Sequence, residues 1–147
     1  FNARWGDPEA EVLVPSIQND LFDIQQKVIL GALHDIKITT DHKARVTVAA
    51  ASKGYPGNYS DVKGKEIFGI EKAREVSGIT MYGAGVKVKD GRYYANGGRL
   101  FFVVAEGKDV LEARDIAYTA MNMIFLEGDN LHFRTDIGWR DVERMQK

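Results

Sequence analysis

The sequence predicts an α+β protein, and three observations carry that expectation. Val86 and Val88 alternate with Lys87 and Lys89, the chain turns at Asp90-Gly91, and Arg92-Tyr93-Tyr94 begins a return strand. That is the pattern of an antiparallel hairpin. Leu100 to Ala105 is an unbroken apolar, β-rich run, as expected of a central buried strand. Two long stretches, 17–33 and 109–125, carry apolar residues near the helical period, outside any regular strand–helix–strand alternation. Together these describe a small, mostly antiparallel β domain with flanking helices.

In chain order, Phe1, Ala3 and Trp5 alternate with Asn2 and Arg4, the period of a half-buried strand. In such a strand Asn2 and Arg4 share a polar face, and Phe1, Ala3 and Trp5 point into packing. Gly6 permits a sharp turn. Asp7 suits an N-cap and Pro8 the first helical position, so a short helix is expected from Pro8 to about Val14, stopped by Pro15. A longer helix is expected from Ile17 to Leu33, with Ile17, Leu21, Ile24, Val28 and Leu33 as its stripe, beside Phe22 and Ile29. Arg45 to Ser52 reads as a strand. Gly54-Tyr55-Pro56-Gly57-Asn58 fits a type II turn. Short elements follow: a strand at 67–70, a helix at 71–76 ended by Gly78, and a strand at 79–82. The helix at 109–125 opens on a capping box of Asp109 and Glu112 and packs through Val110, Ala113, Ala117, Ala120 and Ile124. Leu131 to Phe133 is a last strand, and Trp139 to Met145 a last helix. The domain boundary is expected in the 35–43 loop, giving residues 1–40 and 41–147.

Composition excludes several classes. The chain has 147 residues, about one domain's worth, with 20 basic and 21 acidic residues. No basic block marks a nucleic-acid or membrane surface. There is no cysteine, which excludes disulfides, thiol nucleophiles and thiolate-bound zinc and fits a reducing compartment. No apolar run approaches the roughly 20 residues that span a bilayer, and no signal peptide is visible. The chain begins at Phe1 inside an expected strand, so it reads as a piece of something longer or a processed chain.

The chemistry-bearing residues each have two readings. An amide (Asn2) and a guanidinium (Arg4) stand just before a helix start, a place suited to phosphate, carboxylate or a metal–phosphate complex. Asn2 supplies a metal oxygen or bonds to neighbouring backbone; magnesium normally needs a carboxylate besides. Arg4 clamps an anion bidentately or pairs with Asp7 or Glu9. Asp7 and Glu9 bind an amine or metal, or complement the helix. Gly54 to Gly57 and Gly97-Gly98-Arg99 are anion-cradling loops or plain turns. Arg134 and Arg140, flanking Asp136-Ile137-Gly138, reach a phosphate or form a solvated surface. His34, His42 and His132 lack metal-ligand spacing, and no nucleophile-elbow, P-loop or zincin pattern is present.

Arg4-Trp5-Gly6-Asp7-Pro8-Glu9-Ala10-Glu11-Val12 resembles the signature of the glycinamide ribonucleotide synthetase (phosphoribosylamine–glycine ligase) family, with Trp5 where that family usually has Leu or Phe. Phe1-Asn2 resembles the end of its Glu-Phe-Asn metal motif, without the Glu. Ala51-Ser52-Lys53-Gly54-Tyr55-Pro56-Gly57-Asn58-Tyr59, Tyr82-Gly83-Ala84-Gly85, Gly97-Gly98-Arg99 and Phe133-Arg134-Thr135-Asp136-Ile137-Gly138-Trp139-Arg140 resemble further family segments in the same order. The resemblance implies the last strand and helices of an ATP-grasp core followed by the C-terminal domain. It implies a cytoplasmic purine-biosynthetic enzyme that joins glycine to 5-phosphoribosylamine, converts ATP to ADP and phosphate through a glycyl phosphate, and uses magnesium or manganese. Asn2 then matches a metal ligand, and Arg4 is the catalytic residue, near the transferred phosphoryl group or the glycine carboxylate. Gly6, Asp7, Pro8 and Glu9 shape the substrate-binding loop. The implied partners are glycine, 5-phosphoribosylamine, ATP and the missing N-terminal and ATP-grasp parts, with no nucleic acid and no membrane. Without those parts the chain alone is expected to be inactive. Two other readings stay open: another ATP-grasp carboxylate–amine ligase, and a non-catalytic module that packs on a partner and binds an anion.

Overall fold

The computed structural model describes residues 4–145. The chain divides into two compact units, Phe1–Lys43 and Ala44–Lys147. The strand expected at the start lies outside the described residues up to Ala3; Arg4 and Trp5 are not in a strand, and Trp5 stands 43% exposed rather than packed.

In the first unit, helix α1 spans Glu9–Leu13 and continues as a 3-10 turn, Val14–Ser16. Asp7 is not its N-cap and Pro8 is not its first residue. Pro8 holds the cap position without a side-chain cap bond, and the Asp7–Pro8 peptide is cis. The entry is closed instead by Glu9, whose carboxylate accepts the Gly6 amide at 2.8 Å. Pro15 does end the α-helical bonding, but inside the 3-10 turn. The long helix expected from Ile17 is shorter: α2 spans Leu21–Ile29. Asp20 caps it by accepting from the Phe22 amide at 2.7 Å. Residues upstream are spent on pairing with the 37–40 stretch. Ile17 bridges Thr40, and the Asn19 side chain accepts from the Thr39 amide at 2.7 Å and donates to the Lys37 carbonyl at 3.1 Å. No residue from Arg4 to Lys43 is buried. Phe22, Ile29 and Leu30 are 62%, 82% and 74% exposed, so the described residues of this unit form no apolar core among themselves.

The second unit holds two antiparallel sheets. Its strands are β1 (Ala44–Ser52), β2 (Glu66–Phe68), β3 (Ile79–Gly83), β4 (Val86–Lys89), β5 (Arg92–Ala95), β6 (Arg99–Gly107), β7 (Phe125–Leu126) and β8 (Leu131–His132); its helices are α3 (Ile70–Arg74), α4 (Val110–Met121) and α5 (Trp139–Met145). The sheet orders are β3-β6-β1-β8 and β4-β5-β2-β7, four strands each. β6 pairs along nearly all of β1, with Val46 opposite Ala105, Val48 opposite Val103 and Ala50 opposite Phe101. All six are buried in one apolar cluster with Ala113, Ala117, Ala120 and Met121 of α4. The small residues recur at helical spacing, so α4 lies close against the sheet. The expected capping box forms: Asp109 accepts from the Glu112 amide at 2.9 Å, and Glu112 accepts from the Lys108 amide at 2.7 Å. α4 stops at Met121, short of the expected Phe125, because Phe125 pairs into β7 beside Phe68, with ring centroids 4.8 Å apart. The strand expected at 67–70 ends at Phe68, and Ile70 already begins α3. The type II placement expected at Pro56-Gly57 does not form, because Gly57 lacks the positive φ that its position needs; the turn after β1 instead closes from the Tyr55 N–H to the Ser52 carbonyl at 3.0 Å, with Gly54 at a φ of 94°.

Candidate functional site

Two sets of candidate residues lie in the two units, and each is described within its own unit. In the first, Arg4 to Glu9 form one contiguous loop into α1. Arg4 is exposed, and its Nη1 donates to the Trp5 carbonyl at 2.8 Å. Both main-chain groups of Gly6 are taken: its N–H by Glu9 Oε2 at 2.8 Å, its carbonyl by the Ala10 N–H at 3.0 Å. A β-carbon on Gly6 would stand 2.9 Å from that carboxylate oxygen. Asp7 and Glu9 are exposed and Pro8 half-buried. Asn2, the expected metal ligand, lies outside the described residues. Among the described residues no group of three or more His, Asp or Glu could hold a metal ion.

In the second unit the segment after β8 has no regular structure, yet side chains of α4 hold it. Tyr118 Oη donates to the Arg134 carbonyl at 2.8 Å and accepts from the Ile137 amide at 3.1 Å. Arg114 Nε donates to the Ile137 carbonyl at 2.9 Å and Nη2 to the Thr135 carbonyl at 3.2 Å. The Arg114 guanidinium lies over the Tyr118 ring, 4.8 Å from its centroid. This clamp was missed in the sequence. Its one local signal is an Arg and a Tyr four residues apart on a helix, which places them on one face.

Arg134 of the clamped segment and Trp139 and Arg140 of α5 stand around a shallow recess that Asp136 and Asp141 also line. Arg134 bonds both oxygens of Asp136, at 2.8 and 2.7 Å. That hydrogen-bonded pairing raises the Arg134 guanidinium further and holds the Asp136 carboxyl below the usual carboxylate range. Arg140 lies over the Trp139 ring at 5.3 Å.

The glycine-rich turns converge at the C-terminal end of β1. Ser52 is buried; its Oγ donates to the Gly97 carbonyl at 2.8 Å and its N–H to the Gly98 carbonyl at 2.7 Å. A β-carbon on Gly98 would meet the Tyr55 ring, which itself packs on Tyr59 at 6.2 Å. Arg99 lies over the Phe102 ring at 6.0 Å.

An α+β domain of two antiparallel sheets, preceded by a Gly-Asp-Pro-Glu loop and two short helices, is the class these features define. The family model for the phosphoribosylglycinamide synthetase C domain matches residues 45–140, and the chain belongs to that family. It is 42% identical over 137 residues to a phosphoribosylamine–glycine ligase of Caldanaerobacter subterraneus, a match covering 93% of this chain and 31% of that protein. It is 38% identical over 148 residues to the trifunctional purine biosynthetic protein adenosine-3 of Bos taurus, covering 100% of this chain and 14% of that one. The crystal structure of a phosphoribosylamine–glycine ligase from Thermotoga maritima superimposes with a TM-score of 0.64 at 31% identity, over 92% of this chain and 32% of that chain. The chain therefore spans about a third of the length of these bacterial relatives.

Proposed function

We propose that this chain is the C-terminal part of a phosphoribosylamine–glycine ligase. The observation that carries the reading is the match to relatives of that name over 93% and 98% of the chain. In this reading residues 1–40 finish an ATP-grasp core and 41–147 form the C-terminal domain. The parent joins glycine to 5-phosphoribosylamine in purine biosynthesis, with ATP converted to ADP and phosphate. Its carboxylate is activated as an acyl phosphate, which the amine then attacks. The exposed Arg4 guanidinium serves the transferred phosphoryl group or the glycine carboxylate, and Gly6, Asp7, Pro8 and Glu9 shape the substrate-binding loop.

Magnesium (or manganese) bound at this site would neutralise phosphate charge. Asn2 offers it one amide oxygen, and such an ion also wants carboxylate and water ligands. In this reading the carboxylate is the Glu of the family's Glu-Phe-Asn motif, supplied by the remainder of the parent. The same remainder is the partner that covers the exposed apolar residues of α2. The parent is placed in the cytoplasm, although one relative is a chloroplastic enzyme of Arabidopsis thaliana. No helix among the described residues is long and apolar enough to cross a membrane.

The test is ADP formation that depends on both glycine and phosphoribosylamine. The full-length protein should show it and the 147-residue chain alone should not. Activity of the chain alone would overturn its incompleteness, and a full-length protein that used another carboxylate would overturn the substrate assignment. Asn2→Ala in the full-length ligase should weaken metal-dependent turnover and leave folding intact; global unfolding with an unchanged metal response would remove Asn2 from the site.

A further inference from the structure

We propose that Glu9 is a positioning residue that acts through the Gly6 amide, and not a direct ligand of substrate or metal. The inference rests on the ligase reading above. Glu9 Oε2 accepts the Gly6 N–H at 2.8 Å, while the Gly6 carbonyl accepts the Ala10 N–H at 3.0 Å. Residues of α1 therefore hold both main-chain polar groups of Gly6. Between the two anchor points stands Pro8, which has no N–H to offer. The carboxylate also occupies the space that a side chain at position 6 would need, since a β-carbon there would lie 2.9 Å from Oε2 and 3.0 Å from Cδ. Gly6 and Glu9 are thus one device: the missing side chain admits the carboxylate, and the carboxylate pins the amide.

The device fixes where the chain enters α1. Arg4 is two residues upstream of the pinned amide, and its guanidinium folds back onto the Trp5 carbonyl at 2.8 Å. The direction of Arg4 is set by a backbone whose next fixed point is Gly6. A carboxylate committed to a main-chain amide is poorly placed to bind a substrate amine as well. An amide side chain can replace it as an acceptor, although with a weaker, uncharged bond.

Two measurements test this. In the full-length ligase labelled with 15N-glycine, the Gly6 amide resonance, identified by its loss in Gly6→Ala, should move upfield in Glu9→Ala as its hydrogen bond is lost. Glu9→Gln should leave it close to the wild-type position. A Gly6 resonance indifferent to Glu9→Ala would overturn the lock. In the full-length ligase, Glu9→Ala should lower kcat/KM for glycine on the order of 10²-fold, the scale of a small misplacement of a reacting group. Glu9→Gln should stay within a few-fold of wild type. Glu9→Gln as damaging as Glu9→Ala would show that the charge itself is used, and would overturn the positioning role. Unchanged kinetics in Glu9→Ala would overturn it too. Failure of wild-type full-length protein to use glycine and phosphoribosylamine would remove the ligase reading and the role with it, a result distinct from loss of the amide response.

Discussion

The hydroxyl of Tyr118, on α4, donates to the main-chain carbonyl of Arg134 across 2.8 Å and in the same place accepts the Ile137 amide at 3.1 Å. One side-chain oxygen thus does for an irregular segment what a neighbouring strand does for β1. Tyr118→Phe keeps the ring under Arg114 and removes only the oxygen. The expected cost is about 1–3 kcal/mol, because a donor and an acceptor lose their partner together. Chemical denaturation measures the loss, and faster amide exchange at Ile137 locates it. A stability change without faster exchange at Ile137 would assign the effect elsewhere.

Leu100 is fully buried among the residues of β1, β6 and α4. Leu100→Ala should destabilise the second unit by roughly 2–5 kcal/mol, the lost transfer energy plus the cavity. A cost below that range would mean that the surrounding side chains collapse into the space.

Tyr93 on β5 is paired with Glu71 on α3. The Tyr93 hydroxyl donates to Glu71 Oε1. That hydrogen bond, then partial burial and the Glu71 charge, push the phenol above its ordinary 10.0, against a smaller opposing pull from Arg74. The folded state therefore prefers the neutral phenol. The stabilisation is complete below the unfolded value and is lost as pH rises through the higher folded one. Phenolate absorbance should show one tyrosine titrating late, and Glu71→Gln should bring it back toward 10.0. A late tyrosine that survives Glu71→Gln would leave burial as the cause.

The legible parts of this chain were those with local causes. The hairpin was readable because Asp90 and Gly91 both adopt positive φ, 51° and 74°, which Asp tolerates and Gly accepts freely. α4 was readable from its cap and its alanine spacing. The helix expected at 17–33 failed because apolar period alone cannot see that Ile17 and Asn19 pair with residues some twenty positions on. Asp20 was the missed stop sign: an N-cap residue standing inside the expected helix. The Tyr118 and Arg114 clamp was invisible for the same reason, since it serves backbone 16 to 23 residues downstream. At the candidate loop, spacing supported only a capped turn. The resemblance named its chemistry, and neither showed that the Glu9 carboxylate closes on Gly6.

Gly98 and Gly83 give a matched pair of substitutions. A β-carbon on Gly98 would run into the Tyr55 ring and stand 3.1 Å from Tyr59 Cε1, whereas one on Gly83, at the end of β3, would meet nothing within 4 Å. Tyr55 and Tyr59 are aromatic rings braced on each other, so neither yields like the end of a flexible chain. Gly98→Ala should therefore cost about 1–3 kcal/mol, the range for overpacking a filled site. It should also displace the Tyr55 and Tyr59 ring resonances. Gly83→Ala takes a conformation open to any residue and narrows the unfolded ensemble, so it should be neutral or stabilising by up to about 1 kcal/mol. Denaturation midpoints of the two variants, measured side by side, decide the matter. Equal costs would show that the close approach at Gly98 is relieved by movement of its loop.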